Sequence, residues 1–388
     1  MTAALEWLSG QRGAMVALLR ALVDQDSGTY DKPGVDRVGE IARGFLGAHG
    51  VAVEVLPQAR YGDCLRALVP DGASREAGRG GHVLLLGHRD TVFPAGEALR
   101  RPFRAEGDLA YGPGVADMKA GLVMHCFVLA AFARVGGAPA PLVGLFTGDE
   151  EIGSPEGRAV VEREAGGARA VLNAEPGRPS GAVVTRRKGG VFSAVHIEGR
   201  AAHAGGNFAH GISAVEELAR KVQAWHAVTD LERGVTVNVG LVSGGQSVNT
   251  VAPWAEAEID LRYWERDDRD AAMARILDVT RRSAVPGTRA ALEVRGEFVP
   301  LAPSPASERL FTLYAEAARA SGFETAAEAV GGCADSGFAA AAGAPTLCAV
   351  GPVGGKGHTP DEYLRLDTLV PRALACARAV LALGGAGP

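Results

Sequence analysis

The chain has 388 residues, 47% of them hydrophobic and 22% charged, with a formal net charge of −5 at pH 7. That length exceeds what one hydrophobic core usually supports and points to two domains of an ordinary globular protein. The acidic balance argues against nucleic acid as a partner, and five scattered cysteines with no CxxC or zinc-ribbon spacing suit a reducing, cytoplasmic setting.

The opening stretch, "MTAALEWLSGQRGAMVALLRALVDQDSGTYD", reads as one amphipathic helix stopping near Ser27-Gly28. Its Glu and interrupted apolar run make it a poor signal peptide. No uninterrupted apolar run reaches the ~18–20 residues of a membrane span, so no such span and no membrane partner are expected. "VDRVGEIARGFLGAHG" has helical spacing and ends on Gly50, and "VAVEVLP" alternates as a strand. Residues 71–81 read as a surface loop. "HVLLLGH" is continuously apolar, as a strand covered on both faces should be. "MKAGLVMHCFVLAAFARVGG" is an apolar helix, "PLVGLFTGDEE" a strand and polar turn, and "SPEGRAVVEREAGG" a helix with Ser154 and Pro155 placed as N-cap and N1. "ARAVLNAE" is a further strand. This alternation predicts an α/β fold with a mostly parallel sheet flanked by helices.

Near residue 186 the texture changes. "GGVFSAVHIEGRA", "GVTVNVGLVSGG" and "WAEAEIDLRYW" alternate with period two, and two helices interleave with them. A small α+β domain with one sheet face exposed is expected. From about Pro300 the α/β texture returns, through "ASERLFTLYAEAARASG", "APTLCAVGP" and "RLDTLVPRALACARAVLAL", before a glycine-rich tail. The plan is one α/β domain built from 1–185 and 300–388, with 186–299 inserted.

Each sheet strand is followed by residues able to hold a metal. "LLLGH" ends on His88, with Asp90 two residues on. "YGPGVADMKAG" carries Asp117, "LFTGDEE" carries Asp149, Glu150 and Glu151, "LNAE" carries Glu175, and "VGGKGHTPDEY" carries His358. Open α/β sheets bind ligands at the carboxyl ends of their strands. Singly, each residue has a plain alternative: a hydrogen-bonded surface His, or a solvated acidic pair. Together, adjacent carboxylates closing an apolar strand repel one another and need a cation or a proton. Two His with three carboxylates suit zinc, whose catalytic sites mix nitrogen and oxygen donors. Five ligands exceed one tetrahedral ion that keeps a water, and fit two ions sharing a carboxylate.

As a set, "GHRDTV", "YGPGVADMKAG", "GDEEIGS", "NAEPG" and "GHTPDEY" resemble the co-catalytic dizinc peptidases related to glutamate carboxypeptidase, aminoacylase and succinyl-diaminopimelate desuccinylase. The order is right over nearly the whole chain, and the Asp149-Glu150-Glu151 and Glu175-Pro176 pieces favour the glutamate carboxypeptidase branch. The resemblance implies that Asp117 bridges two zinc ions, with cobalt or manganese as alternatives. His88 and Glu175 would hold one ion, and Glu151 and His358 the other. Glu150 would be the general base, Asp90 would fix the His88 tautomer, and a cis peptide would follow Asp117.

It also implies that the inserted domain is a lid through which the chain forms a homodimer. "EGRAAHAGGNFAHG" would supply His203 to the substrate carbonyl from the neighbouring subunit, and "SVNTVAPWAEAEIDLRY" would supply the substrate contacts Asn249 and Arg262. His203 could equally be a turn residue, and Arg262 a member of an ion pair in the sheet. Two departures stand out. Ala334 precedes Asp335 where relatives commonly carry Ser or Thr, and Phe298-Val299 precede Pro300 where relatives often carry an Arg-Pro pair for the substrate's terminal carboxylate. The nearest arginine is Arg295, and Arg186, Arg187 and Lys188 at the domain junction are other candidates. The remaining histidines, His49, His82, His125, His196, His210 and His226, read as structural or exposed. The expected activity is zinc-dependent hydrolysis of an amide or peptide bond in a small substrate, releasing a C-terminal or N-acylated amino acid. An aminoacylase or dipeptidase is the alternative within the class, and a catalytically silent dimeric binding protein is the alternative outside it.

Overall fold

The computed structural model describes residues 2–71 and 81–385, so most of the expected surface loop at 71–81 and the last residues of the tail lie outside the described residues. Two compact units emerge: Met1–Arg186 with Leu301–Val330 and Ala334–Pro388, and Arg187–Pro300 with Gly331–Cys333.

In the first unit the N-terminal stretch forms two helices, Thr2–Ser9 and Arg12–Val23, where the apolar spacing suggested one. Gly10 lies at the break and donates its N–H to the Trp7 carbonyl; glycine is among the weakest residues at sustaining a helix. A six-stranded sheet follows, ordered Ala52–Leu56, Cys64–Val69, Leu142–Thr147, Val83–His88, Ala170–Asn173 and Thr346–Leu347. The first two strands are antiparallel to their neighbours and the other four run parallel. Val83, Leu85, Leu142, Phe146, Ala170 and Leu172 join the main core. Leu84, Leu86, Val143, Leu145 and Val171, pointing the other way, are equally buried. Both faces are therefore covered, which is why these strands read as unbroken apolar runs.

The segment Val115–Arg134 is long and apolar enough to cross a membrane, yet nearly all of it is buried inside the protein. Every residue from Gly121 to Phe132 is buried. A helix apolar all round is a core helix when other elements surround it, and here Thr2–Ser9, Lys32–Ala48 and Leu369–Gly385 pack against it.

The second unit is an antiparallel sheet, ordered Thr236–Gly244, Trp254–Tyr263, Gly189–Glu198 and Arg289–Phe298. Helices Ala214–His226 and Arg266–Arg281 pack with it around Val191, Val195, Ile197, Trp225, Ile259 and Ile276. Lys221 pins the two helices together. Its ammonium donates to the carbonyls of Val279, Thr280 and Arg282 at 2.6, 3.0 and 2.6 Å and pairs with Glu217 at 2.9 Å. Both side chains are buried. Lys221→Met leaves the buried Glu217 carboxylate without its cation, held only by the Ala284 and Val285 N–H groups, and leaves three carbonyls short of a donor; we expect a loss of ~3 kcal/mol, read as an earlier unfolding transition in urea. An unchanged midpoint would refute this role for Lys221.

Candidate metal centre

The chain runs from strand Val83–His88 to its neighbour Leu142–Thr147, then crosses to Ala170–Asn173 on the other side. The switch point of the sheet therefore lies at the carboxyl end of Val83–His88, where open α/β sheets hold their ligands. His88 is the last residue of that strand. Glu150 and Glu151 sit in a short turn after Leu142–Thr147, and Glu175 lies two residues beyond Ala170–Asn173.

Asp117 arrives from a kinked turn, Val115–Ala120, with a cis peptide to Met118. The helix that follows starts at Gly121, where a Cβ would collide with the carbonyl oxygen of Ala174. Only glycine permits that approach, and it brings the Asp117 turn next to the strand end that carries Glu175. His358 stands in the left-handed region, with φ of 64°, in a loop between the short strands Gly354–Gly355 and Tyr363–Arg365.

The two oxygens of Asp117 face different partners. Oδ1 lies 3.4 Å from His88 Nε2, which is 3.6 Å from Glu175 Oε1. Oδ2 lies 3.4 Å from His358 Nε2, which is 3.1 Å from Glu151 Oε2. Ligands at ~2.0–2.1 Å from a tetrahedral zinc stand about 3.4 Å apart, and these His–carboxylate spacings are of that order. Donor atoms of His88, Asp117 and Glu151, and of His88, Glu150 and Glu175, also lie within 4.8 Å of one another, so the cluster suits metal binding. His88 Nε2 and Glu151 Oε1 are buried without a hydrogen bond. A buried polar atom in that state calls for a bound partner, and a metal ion satisfies both.

The charges agree with this. Burial and then the Asp117 carboxylate push Glu151 up to about 7. Burial, joined by Glu175 and Asp335, lifts Glu150 well above the usual carboxylate range against the opposing pull of His88. Hydrogen bonds to Asp117 and Glu151 raise His358 to about 10. Burial disfavours a charged His88, but Glu150, Asp117 and Asp90 outweigh it and raise that group too. Burial works against ionised Asp117 and Asp90 as well, but His358 and His88 hold Asp117, and His88 holds Asp90, below the usual carboxylate range. Protons therefore gather on Glu150, Glu151 and the two histidines, as expected of a buried acidic cluster short of positive charge.

The supporting residues divide the work in ways sequence spacing did not reveal. His88 Nδ1 meets the Asp90 backbone carbonyl at 3.0 Å, while the Asp90 carboxylate stands 3.4 Å away. That carboxylate mainly holds the acidic turn: it accepts the N–H groups of Glu150 and Glu151 at 3.2 and 3.1 Å and the Thr29 hydroxyl at 2.7 Å. Asp149 turns away and caps helix Gly157–Ala165, accepting from Glu156 and Gly157 at 2.7 and 2.9 Å. Ser154, expected as that helix's N-cap, instead has a φ of 51° and donates its hydroxyl to Asp335. The Thr147 hydroxyl joins it on Asp335 at 3.1 Å. Beside Ala334, Asp335 is thus supplied with hydroxyls from the end of strand Leu142–Thr147 and from the turn that follows it. Glu362, which no sequence pattern singled out, is fully buried beside the Asp117 turn.

His203, Asn249 and Arg262 belong to the second unit. His203 is exposed, and its Nδ1 accepts the N–H groups of Gly205 and Gly206 at 3.1 and 3.0 Å. A ring nitrogen that accepts carries no proton, so the neutral ring presents Nε2–H as a donor. Asn249, also exposed, accepts the Ser247 hydroxyl at 3.0 Å. Arg262 is committed locally, to Asp260 at 2.6 Å, to Cys333 Sγ at 2.7 Å and over the Phe192 ring at 5.0 Å. Arg295 pairs with Glu258 at 3.0 Å, and Arg187 donates to the carbonyls of Gly332 and Cys333 at 3.2 Å.

Residues 84–382 match the model of peptidase family M20/M25/M40. Carboxypeptidase G2 of Pseudomonas sp. (strain RS-16) is 29% identical over 383 residues, covering 96% of this chain and 90% of that protein. Acetylornithine deacetylase of Edwardsiella ictaluri (strain 93-146) is 27% identical over 275 residues, 66% of this chain and 69% of its own. Among solved structures, an M20 family metallo-carboxypeptidase from Sulfolobus solfataricus superposes with a TM-score of 0.77 at 15% identity, covering 95% of this chain and 99% of that one. Human carnosine dipeptidase 1 gives 0.75 at 14% identity, covering 99% and 100%. At these identities the two superpositions bear on the fold.

Proposed function

The chain belongs to peptidase family M20/M25/M40 and is a metal-dependent peptidase or amidohydrolase; on that premise we propose a two-zinc enzyme that cleaves the amide bond of an N-acyl amino acid or short peptide and releases the C-terminal amino acid. The observation that carries this reading is Asp117, whose two oxygens each face a separate His/Glu pair. His88 and Glu175 would hold one ion and Glu151 and His358 the other, with Asp117 contributing to both. When bound, the ions supply Lewis acidity at the scissile carbonyl and acidify the attacking water.

The protein's own groups do the rest. Glu150, buried and with an oxygen 3.8 Å from His88 Nε2, accepts the proton of the attacking water and delivers it to the departing amine nitrogen. Its backbone is fixed by Asp90, so the carboxylate acts from a held turn. His203, with its proton on Nε2, donates to the carbonyl oxygen as negative charge develops there. The lid carrying it works across a homodimer, each His203 serving the partner's site. Asn249 adds a polar contact to the substrate. The acyl half occupies a cavity of about 500 Å³ lined by Tyr30, Val92, Phe93, Pro94 and Ile152, with Glu151 at its edge. Among the described residues no Lys or Arg lines that cavity, whereas Asp31 and Glu151 do, so it disfavours an anionic acyl group and leaves the amino-acid carboxylate to bind elsewhere.

Metal content and turnover test this reading together. Dialysed protein loaded with zinc should hold two ions per chain by elemental analysis. It should release amino acid from N-acyl amino acids and dipeptides, and lose that activity on chelation. Saturation at one ion per chain would sink the shared-carboxylate reading.

A further inference from the structure

Glu362 lies outside the set of groups that face the ions, yet it is completely buried and fully used. Its Oε1 accepts the N–H groups of Ala116 and Asp117 at 2.8 and 2.9 Å, and its Oε2 accepts that of Gly114 at 3.0 Å. Three amides of one turn thus converge on one carboxylate, which sits four residues beyond His358. A second framework ties the same two segments. Strand Tyr363–Arg365 pairs with Leu109–Tyr111 on one side and with Gly354–Gly355 on the other. Gly357 lies against the Asp117 side chain, where a Cβ would stand 3.3 Å from Oδ2.

We propose that Glu362 is the positioning residue of the metal pair: by clasping the Gly114–Asp117 turn to the loop that carries His358, it aims the bridging carboxylate at both ions at once. The inference rests on the two-ion reading above. A backbone held at three points of one turn has little freedom to rotate Asp117, whose side chain faces both donor pairs. Glutamine in this place cannot do the same, because its amide oxygen can accept two of the three N–H groups while its NH2 confronts the third donor to donor.

The experiment compares wild type, Glu362→Gln and Glu151→Gln as apo proteins, titrated with zinc against a competing chelator and with cobalt followed by its visible spectrum. Wild type binding two ions establishes the premise independently of Glu362. We expect E362Q to weaken both ions together by ~10–100-fold, the usual cost of losing an outer-shell partner, with an altered cobalt spectrum. Glu151→Gln should weaken one ion more than the other. Two ions bound by folded E362Q with wild-type affinity would overturn the proposal, as would loss confined to a single ion. If E362Q does not fold, Glu362→Asp is read the same way: it keeps both oxygens but withdraws them by one methylene, and paired weakening supports the role while unchanged affinities refute it.

Discussion

Glu150→Gln lowers kcat by at least ~10²-fold while both ions stay bound and KM changes little. General-base catalysis contributes ~10²–10⁴-fold, and glutamine preserves size without accepting a proton. Two adjacent carboxylates part company here by position alone. Glu151 Oε2 lies 3.1 Å from His358 Nε2, so in the two-ion reading its loss removes a ligand. Glu150 keeps its backbone on Asp90 and faces His88 at 3.8 Å, so its loss removes a proton acceptor from a centre that keeps its ligands. Elemental analysis, zinc titration and steady-state kinetics on both variants decide the matter. If Glu150→Gln keeps its rate, or Glu151→Gln keeps both ions and loses only turnover, the two roles have been exchanged.

If the chain pairs through its second unit as proposed, mixing two inactive variants should restore activity. His203→Ala homodimers keep Glu150 and the metal ligands; Glu150→Gln homodimers keep His203. In a mixed dimer, the His203→Ala chain offers intact metals and base, and its partner offers His203. One of the two sites is complete, so recovery should reach up to about half of wild type per mixed dimer when the sites act independently. The local geometry suits His203 to such a role, since two backbone amides occupy Nδ1 and leave Nε2–H free to donate. Verified subunit exchange with no recovered turnover would mean that His203 serves its own chain or is only a turn residue.

His88, Glu150, Glu151 and Glu175 could be singled out because each closes or follows a strand whose apolar run is hard to mistake; Asp117 and His358 sit in glycine-rich turns and stood out only with the motif set. Val83–His88 is buried along its whole length, so a histidine ending it demanded a reason. The division of the inserted unit's sheet and helices was legible for the same kind of reason, a period-two pattern interrupted by helical spacing. What escaped was the function of polar groups inside loops. Nothing in "GDEE" says that the first acid caps a helix, since that depends on where Gly157 comes to rest. Nothing in "PDEY" separates an exposed Asp361 from a buried Glu362, because the difference lies in a turn about 245 residues away in sequence. The break at Gly10 was missed because apolar spacing continues across it, and helical periodicity does not register a missing hydrogen bond.

The way the first unit is assembled from separated pieces carries a consequence for biosynthesis. A ribosome emits the chain from its N-terminus, and domains tend to fold as their sequence emerges. The second unit needs only Arg187–Pro300 and the short return Gly331–Cys333, so it is free to fold while the sheet of the first still lacks its last strand, Thr346–Leu347. His358 and the Glu362 clasp emerge later still, and helix Leu369–Gly385, which covers the apolar Gly121–Arg134 segment, comes after them. That membrane-like helix therefore lacks one of its covering helices until late in translation, while Thr2–Ser9 and Lys32–Ala48 are already available to pack against it. Because His358 and Glu362 lie in this late part of the chain, the proposed metal centre can be completed only after the second unit has emerged.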